Sequence, residues 1–316
     1  MRYFLVFTSA FFLCAIFWIV LVFAQSKNPT KTSQWIYDVY EKKLDIASKI
    51  EGRKIVLVSG SNAMFGIDSK MIESAFGIPT VNLGVNAGIE PPLILYLAKK
   101  VIKRGDIVVM PLEYNMYLYD GEVAMQAIDY IVSREPWFFW DLSLKEKFYL
   151  LWKIDLKRVL EGYFDKSTSK VRGLLYGYEN IDEKGDQINS DLKDRVDIYF
   201  DSIKTEAEDY AKDFKKKDSL GFEYLKDFSK WAKENGVTIY VVPTTILVND
   251  RYLKEDRWFY ESISDILRES NIEFVGNVFD YMYEKKYYFD TNYHLVSEAR
   301  EFRTKKLIED LKEHIK

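Results

Sequence analysis

Cysteine and histidine are nearly absent from this chain. Its 316 residues include one cysteine, Cys14, and two histidines, His294 and His314. Cys14 lies inside an apolar run, so nothing from residue 25 onward can form an internal disulfide, serve as a thiol nucleophile or bind a metal through thiolate. Two separated histidines and scattered carboxylates make no metal-ligand pattern, and no Gly-rich loop has P-loop or dinucleotide spacing. Neither a metal nor a cofactor is expected. Positive charge is not in excess either: 45 Lys and Arg are interspersed with 49 Asp and Glu, for a net charge of -4. No basic stripe is left for a phosphate backbone, which argues against nucleic acid as a partner. There is no internal repeat and no low-complexity tract.

Charge is missing altogether from residues 3–24. As a helix this run is about 33 Å long, enough to cross a bilayer core of about 30 Å. It reads as a transmembrane anchor over residues 1–24. Val22-Phe23-Ala24 before Gln25 has the look of a cleavage site, so a cleaved signal peptide is the alternative, although the apolar run exceeds the usual length for one. Arg2 and the amino terminus set the orientation, against Lys27 and Lys31 on the other side, and place residues 25–316 outside the cytoplasmic membrane. Residues 25–33 read as a polar stalk.

The body of the chain is well supplied with core formers, with 48% hydrophobic and 16% aromatic residues over the whole sequence. A helix over about 33–50 precedes the buried strand KIVLVSG. A short helix ending at Gly77 leads to the strand PTVNLGV, and a helix over about 91–103 leads to the strand IVVMPLEY. Three strand-helix repeats in fewer than 90 residues predict an α/β fold with a central parallel sheet. From about 121 to 217 no buried strand is legible, and aromatic-rich helical stretches alternate with polar loops, as in a helical cap inserted into the α/β domain of residues 34–316. The Trp137 to Trp140 cluster suits a sugar platform or a membrane-facing surface, and is expected instead to lie in the core of that cap. The alternation resumes with a helix from about 219, the strand VTIYVVPTT, a helix over 256–270, the strand IEFVGN, and a closing helix over 297–314.

The corner at Ser59-Gly60-Ser61-Asn62 admits two readings. Ser and Asn are ordinary helix caps and Gly an ordinary turn residue. Alternatively, a strand that turns tightly into a helix projects its turn side chain above the carboxyl edge of a parallel sheet, where helix N–H groups can hold an oxyanion, and this suits a serine nucleophile. Such a serine needs a base. His314 sits in the charged terminal helix and reads as a surface residue, whereas His294 lies just before that helix, four residues after Asp290. The same segment also reads as a capped helix start. Asp and His together, after the last strand of a sheet whose first strand ends in Gly-Ser, favour catalysis.

In order along the chain, Gly60-Ser61-Asn62 with Phe65 to Asp68, Asn82-Leu83-Gly84, Pro111 to Asn115, and Asp290 to Leu295 with Arg303-Thr304 resemble the blocks of the SGNH (GDSL-like) hydrolase and acyltransferase superfamily. The resemblance is to its membrane-anchored branch, which includes alginate O-acetylation proteins and the protein that assists D-alanylation of teichoic acids. It implies a three-layer, flavodoxin-like fold with Ser61 as nucleophile, His294 as general base and Asp290 as the group orienting the imidazole. The oxyanion hole would comprise Ser61, Gly84 and Asn115. Two departures stand out. The block expected to read Gly-x-Asn-Asp is Glu113-Tyr114-Asn115-Met116, with Asn86 as a competing donor, and Asp290 stands four residues before His294 where three is usual, with Thr291 in the strict position. Asp290 then either orients the ring or only caps the helix. The resemblance and the anchor imply an extracytoplasmic O-acyltransferase that modifies a cell-envelope polysaccharide or other hydroxyl-bearing acceptor, with a multi-span membrane acyltransferase as donor partner. An esterase of the same fold and a non-catalytic envelope scaffold are the alternatives.

Overall fold

A computed structural model describes residues 1–167, 169–214 and 219–315, and divides into two compact units, residues 1–37 with 121–171 and residues 38–120 with 172–316.

The smaller unit is helical. It begins with α1 (Arg2–Phe23), 22 residues long, apolar and exposed along most of its length, hence long and apolar enough to span a membrane. Three further helices come after the excursion of the chain through the other unit: α7 (Met125–Arg134), α8 (Leu144–Lys153) and α9 (Leu156–Phe164). Residues 25–33 are not a free stalk. Gln25, Thr30 and Ser33 are buried, because they satisfy a buried ion pair between Arg158 of α9 and Asp129 of α7 at 2.6 Å. Arg158 also donates to Gln25 Oε1 (2.6 Å) and the Asn28 carbonyl (3.1 Å), while Asp129 accepts from the Thr30 N–H and the Ser33 hydroxyl. The aromatic cluster divides. Residues Pro136–Asp141 form a 3₁₀ turn, whose three-residue repeat puts Trp137 and Trp140 on one side. Phe138 and Phe139 are buried, as expected of a cap core, but both tryptophans are exposed.

The larger unit is mixed α/β. Its parallel sheet has the order β2-β1-β3-β4, with β1 (Ile55–Leu57), β2 (Thr80–Asn82), β3 (Ile107–Met110) and β4 (Thr238–Val241). Three of these strands are buried on both faces, which is why they read as unbroken apolar runs. Val56 stands opposite Val81 on one side and Val108 on the other. Among the described residues the expected fifth strand adds one isolated parallel bridge, Val241 to Phe274. A separate two-stranded parallel pair joins β5 (Ile246–Leu247) to β6 (Met282–Tyr283).

The helices of this unit include α3 (Ser61–Gly66), α4 (Ser69–Phe76), α5 (Glu90–Lys99) and α6 (Tyr114–Tyr117). Later come the short α10 (Asp197–Asp201), α11 (Tyr210–Asp213) and α13 (Asp250–Leu253), and the longer α12 (Leu220–Glu234), α14 (Arg257–Glu269) and α15 (Ser297–Leu311). The helix α2 (Lys31–Lys49) runs through the boundary between units. Local chemistry sets several ends: Asp68 caps α4 by accepting the Met71 N–H at 3.0 Å, and Gly77 closes it at φ +65°. The helix α15 packs on α3 and α4, and its Leu307 joins Ile55, Leu57, Ile107 and Val109 in the core.

The insertion expected over 121–217 breaks near residue 171. Its second part belongs to the α/β unit, where the Asn82 N–H donates to the Lys184 carbonyl (2.8 Å) and the Gln187 N–H to that of Met64 (3.0 Å). Residues 168 and 215–217 of that span lie outside the described residues.

At the amino-terminal edge of the sheet, Lys54 and Asp106 form a wholly buried ion pair at 2.7 Å, and Asp106 also accepts the backbone N–H groups of Lys54 (3.1 Å) and Lys103 (2.7 Å). Removing one partner strands a buried charge. Asp106→Ala should cost about 3–5 kcal/mol in chemical denaturation, and the double replacement Lys54→Met with Asp106→Leu considerably less. Equal losses in the two variants would contradict this assignment.

Candidate active site

The helix α3 starts in the interior. Its first N–H groups have no intrahelical acceptor and must be satisfied from elsewhere. Gly60 is the residue at the cap position and has no side chain to offer, and Ser61, the first helical residue, makes no capping bond. The acceptor is Glu113, brought in by the turn after β3. Its Oε2 takes the Gly60 N–H at 3.0 Å and its Oε1 the Asn62 N–H at 3.1 Å. The Ser59 hydroxyl lies 2.5 Å from the Pro111 carbonyl and 3.1 Å from Glu113 Oε2. Asn62 completes the corner. Its amide donates to Ser59 Oγ (2.6 Å) and the Pro111 carbonyl (2.8 Å), and its side-chain and backbone oxygens accept from the fully buried Arg303 of α15 at 2.9 and 3.0 Å.

Ser61 is thereby left over. It is half-buried, and among the described residues neither its hydroxyl nor its N–H has a hydrogen-bond partner. The cap reading of this serine does not hold, since Glu113 does that work.

The imidazole packs against the same helix. His294 is buried and stacks on Phe65, with ring centroids 4.2 Å apart and planes 6° from parallel. Phe65 is four residues after Ser61, and such residues are neighbours on one helix face, with Cβ atoms about 5–6 Å apart. Stacking therefore holds His294 beside the face that presents Ser61. No hydrogen bond joins Ser61 to His294 in this geometry. On the ring's other side, Nδ1 lies 2.7 Å from Asp290 Oδ1. The Asp290–His294 segment closes on itself: Thr291 Oγ1 accepts the His294 N–H at 3.2 Å, and the His294 carbonyl accepts the Phe289 N–H at 2.8 Å. The four-residue spacing thus still delivers the carboxylate to the ring. Asp290 makes no cap bond to α15, whose cap position is Val296. Burial pushes the Asp290 carboxyl up, but His294 and the Tyr176 hydroxyl, which donates to Oδ2, hold it below its ordinary value. Tyr176 itself is pushed up, first by burial and then by the Asp290 charge, and so stays a donor.

The candidate oxyanion donors separate. The Gly84 N–H is taken by Asn82 Oδ1 at 2.9 Å. Gly84 matters sterically: a Cβ there would meet the Gly60 carbonyl at 2.5 Å and the Ala63 Cβ at 2.9 Å, so only glycine lets the second loop touch the serine corner. Asn115, on α6, is exposed and has no hydrogen-bonded partner for its side chain among the described residues. Asn86 accepts the Gly88 N–H at 2.7 Å, which commits its oxygen and leaves its amide nitrogen unused among the described residues.

Sequence reasoning missed Glu113 as the clamp, Tyr176 as the second partner of Asp290, and Lys43. Lys43 of α2 is wholly buried and its ammonium donates to the Gly84 carbonyl. Burial drives its pKa down, against Asp186 and Asp182, while burial drives Asp186 up. Asp186 in turn accepts from Asn82 Nδ2 (2.8 Å) and from the Ser69 N–H and hydroxyl (2.7 and 2.8 Å). In the sequence Glu113 stood out only as a departure, in the place where the third block is expected to have Gly, and nothing local marked the other two. Among the described residues no cluster of His, Cys, Asp and Glu could hold a metal. No family model matches this chain, and no curated protein or solved structure does.

At the start of α5 stands Glu90, whose backbone sits at φ +66° and whose carboxyl is pushed up to about 8 by burial and then by Asp120. Because the folded value lies above the unfolded one, its stabilising contribution is complete below the unfolded pKa and lost as pH rises through about 8. Denaturation between pH 5 and pH 9 should therefore show a fall in stability that Glu90→Gln flattens. An unchanged slope in Glu90→Gln would contradict this.

Proposed function

We propose that the protein is a membrane-anchored, SGNH-like serine O-acyltransferase acting outside the cytoplasmic membrane on a cell-envelope polysaccharide or another hydroxyl-bearing acceptor. One observation carries the reading: an Asp290-paired imidazole is stacked on the helix that begins with an unengaged Ser61. In the first half-reaction Ser61 Oγ attacks the acyl carbonyl of the donor while His294 Nε2 takes its proton. The tetrahedral intermediate then collapses, and His294 returns the proton to the leaving group, giving acyl-Ser61. In the second, the acceptor hydroxyl gives its proton to His294 as it attacks, and Ser61 recovers it as the ester departs. Asp290 keeps the proton-bearing Nδ1 facing it, which leaves Nε2 free for Ser61, and it stabilises the imidazolium. The Ser61 N–H, at the amino end of α3, is the donor left open to the oxyanion, with the Asn86 amide as a second from the neighbouring loop.

The apolar α1 favours transfer over hydrolysis. An acyl donor made in the cytoplasm reaches an exported acceptor only through the membrane, and a tethered enzyme beside a multi-span acyl-transferring partner meets it there, whereas a free esterase has no need of a tether. The three-layer fold of that superfamily and an uncleaved α1 belong to the same proposal.

Turnover of an activated acyl ester by the full chain tests it. Ser61→Ala and His294→Ala should each remove most activity, with the double variant little worse than the worse single, since residues acting as a unit are not additive. Asp290→Asn should lower kcat on the order of a hundredfold or more with KM little changed. Added hydroxyl acceptor should divert the acyl group from water. Full activity in Ser61→Ala would overturn the assignment, and acceptor-independent release would replace transfer by hydrolysis.

A further inference from the structure

The helix α8 carries large apolar side chains on its outer side. On its inner side it buries Leu150 and Glu146, the latter held in a capping box with Ser143. Its outer side carries Leu144 (85% exposed), Phe148 (71%) and Trp152 (78%), spaced by four residues and therefore aligned, with Phe148 and Trp152 stacked at 6.4 Å. The stripe continues onto the preceding turn. Lys147 Nζ donates to the Trp140 carbonyl at 2.9 Å and lies over its ring, and Trp140 (62%) shares its side with Trp137 (80%). Monomeric soluble proteins rarely leave such an aromatic surface bare.

Its position names the occupant. Trp18 of α1 donates its indole N–H to the Leu151 carbonyl of α8 at 3.1 Å, and Phe23 at the end of α1 packs edge-on against Phe139 at 4.8 Å. Trp18 is five residues before the last residue of α1, about 8 Å along the helix axis. If α1 stands across a bilayer, α8 is held about that far below the helix end, the depth of roughly 5–10 Å at which interfacial helices bury their apolar faces. Tryptophan is the residue favoured there, and Lys145 and Lys153 flank the stripe at headgroup reach.

We propose that Trp137, Trp140, Leu144, Phe148 and Trp152 form a surface that rests in the interfacial layer of the bilayer crossed by α1, with lipid as its occupant. This rests on the anchor reading of α1, and the test separates the two. Full-length protein is reconstituted into vesicles of phosphatidylethanolamine and phosphatidylglycerol and spin-labelled at one cysteine at a time: at the native Cys14, or, in a Cys14→Ser background, in Phe148→Cys, Trp152→Cys or the exposed control Lys233→Cys. Collision with oxygen should exceed collision with a water-soluble nickel chelate several-fold at 14, 148 and 152, and the order should reverse at 233. Nickel-favoured labels at 148 and 152 with an oxygen-favoured label at 14 would overturn the interfacial surface and leave the anchor standing. Nickel-favoured labels at all positions would overturn both. Immobilised labels at 148 and 152, shielded from both reagents, would show a second copy of the chain in place of lipid and overturn the proposal as well.

Discussion

The arrangement depends on one buried carboxylate. A helix that begins in the interior has N–H groups that must be satisfied, and an unsatisfied buried donor costs about 1–3 kcal/mol. Most proteins solve this with a Ser, Thr or Asp at the cap position. Here Glu113 does so from the turn after β3, accepting from Gly60 and Asn62 at once, and Arg303 holds the other side of Asn62. The consequence is chemical. Ser61 is relieved of structural duty, and the turn leaves its hydroxyl without a hydrogen-bond partner among the described residues. Gly60 fits because a Cβ would collide with the Glu113 carboxylate, and Gly66 because a Cβ would collide with the Arg303 guanidinium.

A second constraint converges on the same helix. Phe65 uses its ring to orient His294, and Asp290 and Tyr176 complete a chain of contacts from α3 through the imidazole to the segment near residue 176. Phe65 also lies 5.8 and 5.6 Å from the rings of Phe289 and Tyr176, and Tyr176 stands 5.7 Å from the imidazole, so aromatic rings flank His294 on two sides while its Nδ1 faces Asp290. Aromatic walls fix the plane of the ring, and the carboxylate fixes which nitrogen faces it. Lys43 and Asp186 act on the opposite loop through Gly84 and Asn82, so the two sides of the corner are held by separate buried polar networks.

Much of the α/β unit was legible because its signals are local. Parallel strands buried on both faces read as apolar runs, and Asp68 and Gly77 bound α4 as their chemistry requires. The choice of His294 over His314 rested on elimination, since only two histidines exist, and the structure stacks its ring on Phe65 of the helix that begins with Ser61. The illegible parts are non-local. Tyr176 lies 114 residues from Asp290, and its polar, Gly-bearing surroundings read as a loop of the insertion. Lys43 looks like any charge on an amphipathic helix, and its burial becomes apparent only when the chain closes over it. The tryptophans of the 136–141 turn went astray because hydrophobicity does not say which neighbour of a buried phenylalanine points outward, and a 3₁₀ turn sends them to the exposed side.

The central claim is that Ser61 is a nucleophile activated by His294. It is tested most directly by treating the full chain with a small fluorophosphonate and locating the adduct by peptide mass spectrometry. The account predicts a single phosphonylated peptide carrying the modification on Ser61, lost in Ser61→Ala and strongly slowed in His294→Ala, with Ser59 unmodified because its hydroxyl is committed to Pro111 and Glu113. Labelling of Ser61 at the same rate with and without His294, or no labelling of Ser61 in a folded chain, would contradict it.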